Sequence, residues 1–277
     1  MATVTLAANA NYSALTVADG DTIELAGYTL TLDVNPAEMD VTVQTPGAAG
    51  KIALGAPLVY DLPGWSLIAG TGHMLPTLAV DKTVGGQWYG GTNGSNSCGV
   101  YVCQGTIRGG VTGGPSPGSS GCYVTQGTIE GDVRPNDTVG GSYGIYASDG
   151  VVLGDVYGGS IPNAQGISQN RSVVTGKLVG GSAASSYAIG NNSGSILGPV
   201  LDGVARAIGY SPGRVLVLNG RDCEGIIPST VKTIYSILGP INPLAYVTPG
   251  TEIIVLSGNA DAALRLGNRL AQRGVNL

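Results

Sequence analysis

The chain contains no phenylalanine and one histidine among its 277 residues, and only 5% of it is aromatic and 11% charged. Lysine and arginine number 13 against 18 acidic residues, leaving a net charge of −5. A nucleic-acid or anionic-membrane surface needs clustered cations, so neither is an expected partner. No apolar run reaches the length of a membrane-spanning helix, roughly 20 residues. The opening Met1-Ala2-Thr3-Val4 shows neither the basic nor the apolar region of a secretion signal, so the expectation is synthesis in the cytoplasm. His73, within Gly72-His73-Met74-Leu75, is the only candidate base for a Ser-His-Asp triad, and no nucleophile elbow surrounds it. Cys98 and Cys103 are not followed by a second close pair, since Cys122 and Cys223 stand apart, so a structural zinc site is not expected. P-loop, dinucleotide and calcium-loop motifs are missing as well, and no cofactor is expected.

Glycine is what the chain has in excess: 47 residues, beside a hydrophobic fraction of 43% rich in Val, Ile, Leu and Ala. Glycine enrichment with this much apolar surface points to many short strands joined by tight turns. A repeat then sets the architecture. Segments beginning at Gly99, Gly121, Gly144, Gly166 and Ala188 align at a nearly constant spacing, and a shortened copy runs from Ala207 to Asn219. One column holds Val100, Cys122, Ile145, Ile167, Ile189 and Ile208. A second holds Ile107, Ile129, Val152, Val174, Ile196 and Val215. A third holds Val111, Val133, Val156, Leu178 and Val200. A glycine column, Gly105, Gly127, Gly150, Gly194 and Gly213 with Ser172 the exception, separates two strands of each copy.

No unit of this length buries its apolar columns alone, so copies must stack and the columns become internal ladders. The reading is an all-β protein, a right-handed parallel β-helix (β-solenoid) of about 22-residue coils. Its glycine column is expected at corners needing positive φ. Segments 112–120, 134–142 and 181–186 fall at one place in each copy and predict a stack of loops on one side. The expected organisation is an N-terminal β-rich cap or attachment region over 1–95, β-helix repeats over 96–220, and C-terminal strands with a short helix over 221–277. The cap region shows strand-like runs of irregular period, read either as imperfect coils or as a small β domain covering the open end. The helix is expected over about 260–273, with Arg265, Arg269 and Arg273 along one side. That stripe reads first as a solvated face suited to the helix C-terminus, and otherwise as a docking contact.

Three sets of residues invite a functional reading. Glu130 and Asp132 share one face of a strand, and the register places Asp155 one coil from Asp132, about 5 Å away. That is the separation of a retaining glycosidase pair. Arg108 and Lys177 stand in the same columns, however, so Arg108–Glu130 and Asp132–Asp155–Lys177 read as neutralising surface ladders. Tyr101, Tyr123 and Tyr146 form an outward column suited to cross-strand packing, a trimer interface or a glycan. Trp88 and Tyr89 read as packed where the cap region meets the rod. Cys122 reads as a small core hydrophobe, and a disulfide among Cys98, Cys103, Cys122 and Cys223 is left open.

The stretch from Ala18-Asp19-Gly20-Asp21-Thr22-Ile23-Glu24-Leu25 to Leu30-Thr31-Leu32-Asp33, leading into glycine-rich coils, resembles structural proteins of tailed-bacteriophage particles. Trimeric β-helical spikes, head fibres and capsid-decorating proteins recur in that group. Gln87-Trp88-Tyr89-Gly90 is also similar to the Trp-aromatic-Gly step before the helix of pectate-lyase-like tailspikes. Gly91-Thr92-Asn93-Gly94-Ser95 departs from the acidic residues that follow there. The resemblance implies a non-enzymatic virion protein, assembled in the host cytoplasm as a homotrimer, decorating or projecting from the capsid and touching other virion proteins such as the major capsid protein. The alternative it implies is a tailspike-like glycan-binding protein or polysaccharide depolymerase.

Overall fold

The structure, a computed structural model, describes residues 1–196, 198, 200–201, 203–205 and 207–210, together with the strand backbones Arg214–Val217, Thr233–Ser236 and Glu252–Val255. The expected helix over 260–273, with Arg265, Arg269 and Arg273, lies outside the described residues, as does Cys223.

Among these residues the chain is all-β and winds as a parallel β-solenoid with three faces. Face 1 has ten strands, from Thr3–Thr5 through Trp65–Ile68 and Val133–Arg134 to Val200–Leu201. Face 2 has seven, from Leu75–Leu78 through Cys98–Cys103 to Ile208–Tyr210. Face 3 has ten, from Val59–Tyr60 through Thr106–Ile107 to Glu252–Val255. A three-stranded sheet, Ala10–Asn11, Thr29–Leu32 and Lys51–Leu54, sits before face 2; Ile52 N–H donates to the Met74 carbonyl at 2.8 Å.

The three apolar columns of the repeat become the three inner ladders. Val100 pairs with Cys122, Ile107 with Ile129 and Val111 with Val133, and all six side chains are fully buried. Each such side chain contributes about 1.5–3 kcal/mol when removed from water. The ladders do not stop at residue 95. Face 1 continues back along Val111, Trp88, Leu67, Val43, Ile23 and Val4. The steps between them are unequal, longest from Val43 to Leu67 and shortest from Val4 to Ile23, so turns of differing loop length hide the period in sequence. Face 3 begins only at Val59; before it, Tyr12, Leu15, Val17 and Met39 pack against the core. Tyr12 meets Trp65 edge-on, with ring centroids 5.4 Å apart. At the other end Val215 pairs in register with Ile196, and Thr233–Ser236 and Glu252–Val255 extend face 3.

The loop stack forms between faces 1 and 2. Gly118 N–H donates to Gly141 O, and Gly141 N–H to Asn163 O, at 2.7 and 3.0 Å. A buried serine closes several of these loops: Ser97, Ser119 and Ser186 donate to the carbonyls of Gly94, Ser116 and Ala183, and Ser142 Oγ accepts from Asn136 N–H.

The corner glycines correct the expectation about φ. Gly105, Gly127, Gly150 and Gly194 are all outside the left-handed region. They are required by close approach. A Cβ on Gly127 would lie 2.0 Å from the Gly105 carbonyl oxygen, and one on Gly150 would lie 1.9 Å from that of Gly127. A second column, Gly109, Gly131, Gly154, Gly176 and Gly198, behaves the same way at the next corner. Ser172, the exception in the first column, is buried. It accepts a hydrogen bond from the Ser148 hydroxyl at 2.9 Å and donates to Asn170 Oδ1 at 2.5 Å.

Replacing Gly176 with alanine puts a methyl group 1.9 Å from the Gly154 carbonyl oxygen. Gly176→Ala is expected to cost about 1–3 kcal/mol, as overpacking does. A thermal melt followed by circular dichroism measures this, and an unchanged Tm would mean the turns are more widely spaced.

Candidate functional site

Two outer surfaces of the solenoid gather the residues with functional potential. On face 2 the outward tyrosines form a continuous stack that His73 extends by one ring. His73 lies 4.2 Å from Tyr101, Tyr101 5.2 Å from Tyr123, and Tyr123 4.8 Å from Tyr146, with interplanar angles of 23°, 13° and 4°. The parallel register spaces residues of one column at the rung pitch, about 4.8 Å, which is also a stacking distance for rings. Consequently the flat faces of Tyr101 and Tyr123 are covered by neighbouring rings, and what they present outward is ring edges and hydroxyls. A sugar stacking on a ring face has no place at these two residues.

His73 is not set up as a general base. Its Nδ1 faces the Cys98 backbone N–H at 3.4 Å. Burial, with the Lys51 charge adding to it, holds the imidazole pKa below its usual value, so the ring is neutral at pH 7.

The carboxylates singled out by sequence are each tied to a cation. Arg108 contacts Asp61 at 3.1 Å and Glu130 at 3.8 Å. Asp155 faces Lys177 Nζ at 3.4 Å, accepts the Lys177 backbone N–H at 2.8 Å, and accepts the Tyr157 hydroxyl at 3.2 Å. Asp132 differs from the expected ladder. Its cation is Arg134, on its own turn of the chain, at 2.8 Å. These pairs are solvent-exposed, so each contributes at most about 1 kcal/mol. Each of these carboxylates thus has a positive partner within reach.

Cys98, Cys103 and Cys122 are free thiols, all buried, and no disulfide joins them. Burial pushes the Cys103 pKa up to about 12 and raises that of Cys122 as well. Among the described residues no group of His, Cys, Asp and Glu could hold a metal ion, and no helix is long and apolar enough to cross a membrane.

Trp88 and Tyr89, expected to pack together at a junction, part company. Trp88 is fully buried and donates Nε1–H to Gly85 O at 2.8 Å. Tyr89, the next residue on the strand, turns outward and lines a recess on face 1 with Thr112, Arg134, Asn136, Asp137 and Tyr157. Sequence reasoning passed over this group. The one signal available was that Thr112, Arg134 and Tyr157 each follow a member of the third apolar column.

Comparison with known proteins finds no matching family model, no matching curated protein and no matching solved structure.

Three outcomes are expected. Tyr123→Ala removes two ring contacts and is expected to cost about 1–3 kcal/mol, read as a lowered Tm. In a Cys223→Ser background the folded protein is expected to resist thiol labelling at pH 8 and to label at three sites once denatured. The raised thiol pKa values also have a sign. Below about pH 8.5, the unfolded value, their contribution to stability is complete. It is lost as pH rises towards the folded value of about 12 at Cys103. A urea-midpoint series across this alkaline range checks it, with Cys103→Ala expected to flatten the decline.

Proposed function

We propose that the chain is a non-enzymatic structural protein of a tailed-phage particle, a stiff rod that decorates or projects from the capsid as a homotrimer. The observation that carries the non-enzymatic part is the pairing of Asp132 with Arg134 and of Asp155 with Lys177. A retaining glycosidase needs one of two neighbouring carboxyls protonated and the other free to attack. Here each has its own cation, and Asp155 also accepts two hydrogen bonds.

The architecture supports the mechanical part. Each turn packs on its neighbours through three inner ladders, and repeats of this kind are stable as stacks rather than as separate units. The assignment to a phage particle draws on the resemblance of residues 18–33 and of the glycine-rich coils. The homotrimer and the contact with a capsid protein belong to that resemblance.

Electron microscopy of purified virions labelled with an antibody to this chain tests the proposal. Many copies on the capsid lattice are expected, and absence from virions would overturn it. Incubation with bacterial capsule or lipopolysaccharide is expected to release no reducing ends. Release that disappears in Asp155→Asn would establish a depolymerase instead. Sedimentation equilibrium is expected to give three times the chain mass, and the mass of one chain would remove the trimer.

A further inference from the structure

Face 1 has a break in its outer surface at Thr112. The outward residues of successive turns there are Tyr89, Thr112, Arg134 and Tyr157. Thr112 is short between long neighbours, and the loop at Pro135–Asp137 rises beside it, leaving a recess of about 310 Å³. That volume lies at the lower end of ligand pockets, about 300–1,000 Å³.

Several polar atoms that line this recess have hydrogen-bonding capacity left open. Arg134 lies flat on Tyr157, its Cζ 3.6 Å from the ring centroid, and gives Nη2 to Asp132. Its Nε and Nη1 meet no acceptor among the described residues. Asn136 Oδ1 accepts from Thr138, while its Nδ2 donates to nothing described. Asp137 Oδ1 takes the Ser160 backbone N–H at 2.8 Å, and Oδ2 remains open among the described residues. Tyr89 makes no ring contact and no side-chain hydrogen bond among the described residues, unlike the stacked tyrosines of face 2. Free donors, a free acceptor and an uncovered ring therefore converge on one hollow.

Charge selects the class of ligand. Asp132 offsets Arg134 and Asp137 adds a negative group, so an anion gains little here. A metal ion is disfavoured by the guanidinium and by the scarcity of open oxygens. A neutral polyol with a flat C–H face uses what is present, because its hydroxyls both donate and accept.

We infer that the recess between Tyr89 and Tyr157 binds a neutral hexose unit. Arg134 and Asn136 donate to its hydroxyls, Asp137 accepts from one, and the Tyr89 ring receives its C–H face. Arg134 is held in place for this by Tyr157 on one side and Asp132 at its tip. The site stands apart from the proposed particle role, since a rod of any use can carry it.

Saturation-transfer NMR on the full chain tests the inference, with D-glucose, D-galactose, D-mannose and N-acetyl-D-glucosamine as probes and D-glucuronate as the anionic comparator. At least one neutral sugar is expected to show saturable binding that is insensitive to salt. Thr112→Tyr fills the hollow from an outward position and leaves the inner ladders intact. It is expected to weaken binding about tenfold or more, or about 1.4 kcal/mol. Tyr89→Ala provides the second variant should Thr112→Tyr melt early, and it is expected to weaken the same sugar. No signal from any neutral sugar would overturn the inference. So would unchanged binding in both variants, or binding of glucuronate alone that salt abolishes.

Discussion

Successive turns of this protein touch backbone to backbone at two corners, and the spacing of everything else depends on that approach. At the first corner the Gly105 carbonyl oxygen occupies the place where a Cβ of Gly127 would be; at the second, Gly131 and Gly154 stand in the same relation. The missing side chain of glycine permits this separation at these positions while the parallel ladders on the three faces keep their hydrogen bonds. With the corners drawn in, Val100, Ile107 and Val111 fall directly beneath Cys122, Ile129 and Val133, and all six are shut off from solvent. Ser172 shows the alternative solution, in which a small polar side chain enters the corner and is absorbed by Ser148 and Asn170.

The same register governs the outside. A residue on one turn has its column neighbour one rung away, so side chains interact chiefly along columns. Rings stack on rings from His73 to Tyr146, and Asp149 takes Arg171 from the next turn through two contacts, at 2.5 and 2.9 Å. A column of matched partners spends its own binding capacity. Binding potential survives where a column is interrupted, as at Thr112, because the long neighbours on either side cannot reach each other across the short one. Structural ladders and a ligand recess are thus two outcomes of one geometry.

The repeat between Gly99 and Val200 was legible because its loops are nearly equal in length, which keeps the apolar columns at an almost constant period. The inward places of those columns, the outward Tyr101–Tyr123–Tyr146 column and the pairing of Arg108 with Glu130 could all be read from that period. Residues 1–95 belong to the same ladders, yet the unequal steps from Val4 through Ile23, Val43 and Leu67 to Trp88 concealed it. The glycine columns were visible, but their cause was not. Composition does not distinguish a positive-φ corner from a close backbone approach, and only the position of the neighbouring carbonyl does.

The sequence by itself determined the stacking unit, its inner face and the surface columns, because these follow from side-chain alternation repeated at a constant period. Tertiary structure alone decided the partner of Asp132, the burial of Cys98 and Cys103 and the free state of all three thiols, the covered faces of the tyrosines and the recess beside Tyr89. Each of those depends on how far apart the turns stand and on where a loop of one turn meets the strand of another. Those distances are set by backbone contact between turns, a quantity no single stretch of the chain contains.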